Sequence, residues 1–241
     1  MKSVLVTGAS GGIGSAVALE LARRGWSVAL QYRSNREAAV RLEEEICRQG
    51  GMARAYGADL TDEAQVDALF SAAEKDFGFL EGLVNNAGVA WKGLFTDMSL
   101  SDWRGVMDAD LTSVFLCCRR ALPPMIRQKR GSIVNVSSMW GEVGASCEAA
   151  YSAAKAGVIG LTKALAKEEG PSGIRVNCLA PGVIDTPMNG DLSPEDLAAL
   201  REETPLERTG TPEEAARAAA FLLEEEFLTG QVLGVNGGLV I

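Results

Sequence analysis

The sequence predicts an α/β fold, a doubly wound parallel sheet of seven strands with helices on both faces. Three observations lead there. Short apolar runs alternate with longer segments of helical period almost throughout the chain. The first apolar run passes through a glycine-rich turn directly into a helical pattern. The length, 241 residues, suits one domain spanning 1–241 with a sizeable core, and no repeat, linker or low-complexity tract divides it.

The elements follow in order. Strand 3–7 is Ser3-Val4-Leu5-Val6-Thr7, a short β-branched run of the kind found in buried parallel strands. Gly8-Ala9-Ser10-Gly11-Gly12-Ile13-Gly14 comes next, and helix 12–24 carries its apolar pattern through Val17, Leu19 and Leu21. Strand 27–32 with helix 35–49, and strand 53–57 with helix 62–77, repeat the unit. Strand 81–85 precedes a long helix, 99–127, and strand 132–137 leads to helix 150–169. Strand 174–179, helix 211–223 and strand 231–235 close the pattern. Segment 186–204 departs from the rhythm: it is polar, follows Pro181-Gly182, and is punctuated by Pro187, Pro194 and, just beyond, Pro205. A long insertion past the C-terminal end of a strand is the expected place for a substrate lid.

Composition excludes several classes of function. Apolar residues make up 47% and charged residues 23%, as in soluble globular proteins. No apolar run is long enough to span a bilayer and no basic leader precedes an apolar stretch, so a cytoplasmic enzyme without a membrane partner is expected. A net charge of −9 argues against nucleic-acid binding. The five cysteines (47, 117, 118, 147, 178) lack metal-site spacing, and with no histidine no metal centre is expected.

The glycine turn between strand and helix is the context of a dinucleotide fingerprint, which makes this a Rossmann fold. Glycines let the backbone approach a pyrophosphate, and the helix N-terminus offers it free N–H groups. The proton-transfer machinery must work without imidazole. Tyr151 and Lys155 are four residues apart in a helical segment and so share a face. A nearby ammonium favours phenolate, and Tyr151 is therefore expected to have a lowered pKa that suits acid–base work. Ser138 has no histidine to activate it and no G-x-S-x-G elbow, so it is not read as a hydrolase nucleophile.

Together these residues resemble the short-chain dehydrogenase/reductase family over the whole chain. The marks are Thr7–Gly14, Asp59-Leu60, Asn85-Asn86-Ala87-Gly88, Ser138, Tyr151 with Lys155, Asn177, Pro181-Gly182 with Thr186, and Gly237-Gly238. The resemblance implies that Tyr151 gives a proton to a carbonyl, that Ser138 orients its oxygen, and that Lys155 tunes Tyr151 and holds the nicotinamide ribose. It implies cofactor contacts from Gly8, Ser10, Gly12, Ile13 and Gly14, and from Asp59 and Leu60 beside the adenine. Asn86, Ala87 and Gly88 line the cleft, and Pro181, Gly182 and Thr186 meet the nicotinamide. One departure stands out. The family usually has an asparagine where this chain has Asp110, which makes Asp110 a candidate catalytic residue; the resemblance implies that its main chain holds a water linking Lys155 to solvent, a role an aspartate keeps, whereas a side-chain role would change because a carboxylate only accepts hydrogen bonds.

NADP(H) is favoured over NAD(H). The acid that binds both ribose hydroxyls in NAD sites is missing after the second strand. Arg33 and Ser34 stand there instead, able to pair with a 2′-phosphate. Gly11 stands where many NADP-using relatives are basic, one cation fewer.

The closest overall resemblance is to 3-oxoacyl-[acyl-carrier-protein] reductases of fatty-acid synthesis, so the expected substrate is a ketone carried on a protein. Arg119, Arg120, Arg127, Lys129 and Arg130 are the candidate patch for an acidic carrier. Ser172 lies where docking surfaces of that branch often add an arginine. The loop Trp140–Glu148 and the segment 93–98 are similar to reductases of the 5-aminopentanone group on elongation factor P, and Glu142 and Glu148 suit a cationic amino-ketone. A non-catalytic NADP-binding regulator is the reading from another class, supported by Asp110 alone. The resemblance implies a homotetramer that pairs helices 99–127, 150–169 and the last strand.

Overall fold

The structure, a computed structural model, describes residues 2–190 and 193–241. Seven strands form one fully parallel sheet: β1 (Ser3–Val6), β2 (Ser27–Tyr32), β3 (Met52–Gly57), β4 (Gly82–Asn85), β5 (Gly131–Val136), β6 (Ile174–Pro181) and β7 (Val232–Val235). Their order is β3-β2-β1-β4-β5-β6-β7. The chain winds outward from β1 to β3, then returns to β4 on the other side of β1. That reversal opens a crevice beyond the C-terminal ends of β1 and β4.

Successive side chains of a strand point to opposite faces. Leu5 therefore joins the core made with α3 (Glu63–Phe77), α5 (Ser113–Gln128) and α7 (Ala149–Glu169), where Phe70, Val114, Cys117 and Val158 are buried. Val4 and Val6 join the opposite core, made with α1 (Gly12–Arg23), α2 (Arg36–Arg48) and α9 (Pro212–Glu224), among Val17, Leu21, Ile46 and Leu222.

Two differences from the sequence reading bear on function. The long helix expected over 99–127 is interrupted. It runs as α4 (Leu100–Met107), a π turn over Asp108–Thr112, and then α5. Apolar periodicity spans the break, which hides it in the sequence; π turns accumulate at functional sites. The expected lid contains a 3-10 turn over Pro187–Asn189 and a helix, α8 (Pro194–Glu203), started by a capping box between Ser193 and Asp196. The part of the lid at 191–192 lies outside the described residues. A single short turn, α6 (Trp140–Val143), follows β5. Among the described residues, no helix is long and apolar enough to cross a membrane.

Candidate active site

A cleft of about 910 Å³ occupies the crevice. Most of the expected site residues line it: Gly8, Ser10, Gly12, Ile13, Arg33, Ser34, Asp59, Leu60, Asn86, Ala87, Gly88, Ser138, Tyr151, Lys155, Pro181, Gly182 and Thr186. Gly14 and Asp110 are not on its wall. A Cβ on Gly14 would stand 2.3 Å from the Gly8 carbonyl oxygen, so this glycine allows α1 to pack against the turn.

The glycine turn is held rigidly. Gly8 and Gly12 have φ of +63° and +54°, the left-handed region that glycine enters without strain. The Gln31 side chain accepts from the Gly8 N–H at 2.8 Å and donates to the Ala58 carbonyl at 2.8 Å, tying the turn to the end of β3. Thr7 Oγ1 accepts from the main-chain N–H of Asn86 and of Ala87, and Asn86 donates its amide to the Thr7 carbonyl at 3.0 Å. These bonds bridge β1 and β4 across the switch point. Sequence reasoning passed over Gln31; its signal was a polar residue in an otherwise apolar strand.

The N-terminus of α1 fits a phosphate. Gly11 caps it with no side chain, and its first turn has no acid. The helices α2, α3, α4, α8 and α9 differ: each has a side-chain cap and an acid in its first turn. The free N–H groups of α1 are thus left for an anion in the cleft. At the adenosine end Asp59 is taken up locally, accepting from the Thr61 N–H and hydroxyl at 2.9 and 2.8 Å. Arg33 is exposed and has no ion-pair partner among the described residues. The cradle, the uncapped helix end and exposed Arg33, whose charge also reaches Asp59, fit a dinucleotide phosphate.

At the other end, β5 delivers Ser138 and α7 delivers Tyr151 and Lys155. All three are buried, at 7%, 9% and 3% exposure. Ser138 Oγ accepts from the Trp140 N–H at 3.2 Å. Lys155 Nζ donates to the Val136 carbonyl at 3.2 Å and lies 5.5 Å from the centre of the Tyr151 ring. The π turn brings Asp110 beneath them. Its Oδ1 accepts from the Val89 N–H at 2.8 Å, and its Oδ2 faces Lys155 Nζ at 3.2 Å in an ion-pair contact without hydrogen-bond alignment. The sequence reading leaves this position either a main-chain role or a carboxylate acting on Lys155; the side chain stands in contact with the ammonium.

The electrostatics correct a second expectation. Burial pushes the Tyr151 phenol above its ordinary range; Lys155 and Ser138 pull it down, while Asp110 and Glu148 push it further up. The net shift is upward, because the expectation counted the lysine but not the desolvation or the carboxylate behind it. Burial works against the Lys155 ammonium, yet Asp110 and Tyr151 outweigh it and raise that pKa.

The expected carrier patch is largely neutralised. Arg119 pairs with Glu63, Arg120 with Asp67 and Glu74, and Arg130 with Glu81. Arg127 and Lys129 keep no such partner among the described residues. Of the two acids expected near the substrate, Glu148 lines the cleft together with Lys92, and Glu142 is exposed away from its wall.

Comparison with known proteins agrees with this geometry. A family model described as Enoyl-(Acyl carrier protein) reductase matches residues 8–240. The 3-oxoacyl-[acyl-carrier-protein] reductase FabG of Staphylococcus aureus is 42% identical over 240 residues, 99% of this chain and 98% of its own. The chain belongs to the short-chain dehydrogenase/reductase family. It is an NAD(P)-dependent oxidoreductase of that family, with the FabG reductases among its near relatives. The uncharacterized oxidoreductase YmfI of Bacillus subtilis is also 42% identical, over 98% of both chains. A crystal structure provisionally named as a gluconate dehydrogenase from Agrobacterium tumefaciens superposes with a TM-score of 0.96 at 33% identity, covering 100% of this chain and 96% of that one.

Proposed function

We propose that this protein reduces a ketone to a secondary alcohol with NADPH, and that the ketone is a 3-oxoacyl group on acyl carrier protein. The observation that carries the reductase reading is the joining of two half-sites in one cleft, the anion cradle at Gly8–Ile13 and the Ser138, Tyr151 and Lys155 cluster. The full-length likeness to 3-oxoacyl-[acyl-carrier-protein] reductases supports the substrate class. Exposed Arg33, in no ion pair among the described residues and with no acid in the loop after β2, supports NADPH over NADH.

The dihydronicotinamide supplies the hydride when bound. Gly8, Ser10, Gly12 and Ile13 would hold the phosphates of the dinucleotide, Asp59 and Leu60 would flank its adenine, and Pro181, Gly182 and Thr186 would face its nicotinamide. Ser138 donates to the carbonyl oxygen and fixes its direction. Tyr151 gives its phenolic proton to that oxygen as the carbonyl carbon is reduced, and the phenolate formed is stabilised by the Lys155 ammonium. Thr186, Met188 and Leu200 reach the cleft wall, which supports a lid within segment 186–204. Exposed Phe115, Phe221 and Phe227 and the half-exposed edge strand β7 support a homotetramer.

A specific observation favours a second reading. With Arg119, Arg120 and Arg130 in ion pairs and Glu148 on the cleft wall, beside Lys92, the electrostatics favour an acidic carrier less than the sequence suggested and leave room for a cationic amino-ketone such as the 5-aminopentanone group on elongation factor P. A paired assay decides. NADPH oxidation is followed with an acetoacetyl thioester of carrier protein and with 5-aminopentanone-modified elongation factor P. The first reading expects the larger kcat/KM for the thioester. A preference for the modified factor replaces it, and tight NADPH binding without turnover of any activated ketone points to a regulator.

A further inference from the structure

Ser137, beside the carbonyl-orienting Ser138, is buried just past the end of β5, and its hydroxyl is turned to α7. It donates to the Lys155 main-chain carbonyl at 2.8 Å. That carbonyl lies inside α7, where the helix ladder already uses it. An oxygen with two lone pairs accepts a second bond, so the contact adds a fastening and takes none away. Lys155 Nζ returns to the same place, donating to the Val136 carbonyl at 3.2 Å. The main chain and the side chain of one lysine are thus both bonded to adjacent residues at the end of β5. The other side of Ser137 is fixed as firmly. Its N–H donates to the Leu179 carbonyl at 2.7 Å, and the Met139 N–H to the Pro181 carbonyl at 2.9 Å. Both acceptors belong to β6, whose last residue, Pro181, is on the cleft wall. Gly141, in the α6 turn, closes the third side. A Cβ there would stand 2.7 Å from Ser137 Oγ and 2.8 Å from the Lys155 carbonyl carbon. The turn therefore lies directly on the α7 main chain, a close approach that a side chain would block.

We propose that Ser137 and Gly141 are positioning residues, which seat the part of α7 carrying Tyr151 and Lys155 on the end of β5. Tyr151 lies one helical turn before Lys155, and Ser138 directly follows Ser137. A shift at this seam therefore moves the proton donor relative to the hydroxyl that orients the carbonyl. A misplacement of about 1 Å costs on the order of a hundredfold in rate. This rests on reading Ser138, Tyr151 and Lys155 as the reacting cluster. Ser132 supplies a control. It is a second buried serine, in β5 itself, and its hydroxyl has no hydrogen-bond partner among the described residues.

The test compares Ser137→Ala with Ser132→Ala. Turnover of an activated ketone is measured at saturating NADPH and divided by the concentration of NADPH-binding sites, counted by fluorescence titration of the same sample. Unfolded protein then does not enter the rate. Per site, kcat should fall about tenfold in Ser137→Ala, ~1.4 kcal/mol of barrier, and stay within about twofold in Ser132→Ala. The phosphate cradle at Gly8–Ile13 lies outside the seam, so NADPH affinity should change by less than about threefold. Gly141→Ala, which adds the clash, should lose more than Ser137→Ala; an equal or smaller loss removes Gly141 from the seam. A Ser137→Ala kcat within about twofold of the parent, or equal losses of kcat and NADPH affinity, overturns the proposal. The same fall in Ser132→Ala also overturns it, since any buried serine of this strand would then serve. Amide exchange is followed beside the rates. Residues 155–159 of α7 should exchange faster in Ser137→Ala and not in Ser132→Ala, and unchanged exchange overturns the seating whatever the rates. A parent that turns over no activated ketone fails the reductase reading, and the exchange then decides the seating alone.

Discussion

Gln31 braces the glycine turn, and removing its two hydrogen bonds should loosen both the fold and the cofactor cleft. The side chain is 1% exposed and bonds the Gly8 N–H and the Ala58 carbonyl, each at 2.8 Å. Gln31→Met keeps the length and volume and removes both polar ends. Ala58 is 5% exposed, so its carbonyl would be left buried without this partner. Gly8 is only half-buried, and water can partly replace the bond to its N–H. An unsatisfied buried group costs roughly 1–3 kcal/mol and a solvated one about 1, giving a loss of about 2–4 kcal/mol. Gln31→Glu keeps an acceptor for Gly8 but turns a carboxylate oxygen toward the Ala58 carbonyl, and should cost at least as much. Urea unfolding followed by circular dichroism reads the stability, with the slope checked for constancy. Fluorescence titration with NADPH reads the turn, where a weakening of about tenfold, ~1.4 kcal/mol, is expected. If Gln31→Met keeps the parent midpoint and the parent affinity, the turn is braced by something else.

Tyr151→Phe should abolish reduction and leave NADPH affinity nearly intact, since it removes the proton donor and little of the cofactor contact; turnover within about tenfold of the parent rejects the assignment. Lys155→Ala should lose both turnover and cofactor affinity, and unchanged affinity would remove its ribose role. Arg33→Ala should weaken NADPH relative to NADH by roughly 1–3 kcal/mol, the worth of a charge-assisted bond to phosphate, and equal losses for the two cofactors reject the NADP reading. Burial pushes the Cys118 and Cys178 thiols up to about 12, and Cys117 up as well. Each is neutral when folded, so its contribution is complete below the unfolded value near ~8.5 and is lost as pH rises, by up to ~1.4 kcal/mol per unit per thiol. The urea midpoint should therefore fall steadily above that pH, and a flat alkaline midpoint would contradict the burial of these thiols.

The parts of the fold legible in the sequence were those written locally. Ser3–Val6 and the glycines after it announce a strand, a turn and a helix within one short window, and β1 and α1 stand there. Parallel strands buried on both faces, such as Gly131–Val136, read as mainly apolar runs, here broken by Ser132 and Asn135, because neither face meets water. The cross-strand polar links were not legible. Asn85 donates to Asn135 at 2.9 Å, and Asn135 to Thr162 at 2.9 Å, because the register pairs Asn85 with Asn135 and sets α7 over both. No spacing in the chain encodes that distance. The carrier patch failed for a related reason. A run of arginines shows its charge in the sequence, while the acids that neutralise it come from α3 and the turn before β4, far along the chain.

Asp110 and Lys155 carried a signal of another kind. On the interrupted helix Val106, Asp110 and Val114 recur every fourth residue, and all three are buried. On α7 Tyr151, Lys155 and Val158 form a comparable buried stripe. Each stripe thus holds one charge among apolar neighbours. An isolated buried charge costs several kcal/mol after relaxation, so each needs an opposite partner close by. Among the described residues, only Asp110, Lys155 and Glu169 are charged and this deeply buried, and Glu169 lies at the far end of α7. Once the structure shows which charges are buried, elimination leaves Asp110 and Lys155 as partners. A pair held by that requirement is also one that cannot be half removed without consequence. Substituting Asp110 by asparagine leaves a buried ammonium without its counter-charge, and a lowered urea midpoint is the expected result; an unchanged midpoint would show that Lys155 is compensated by another group.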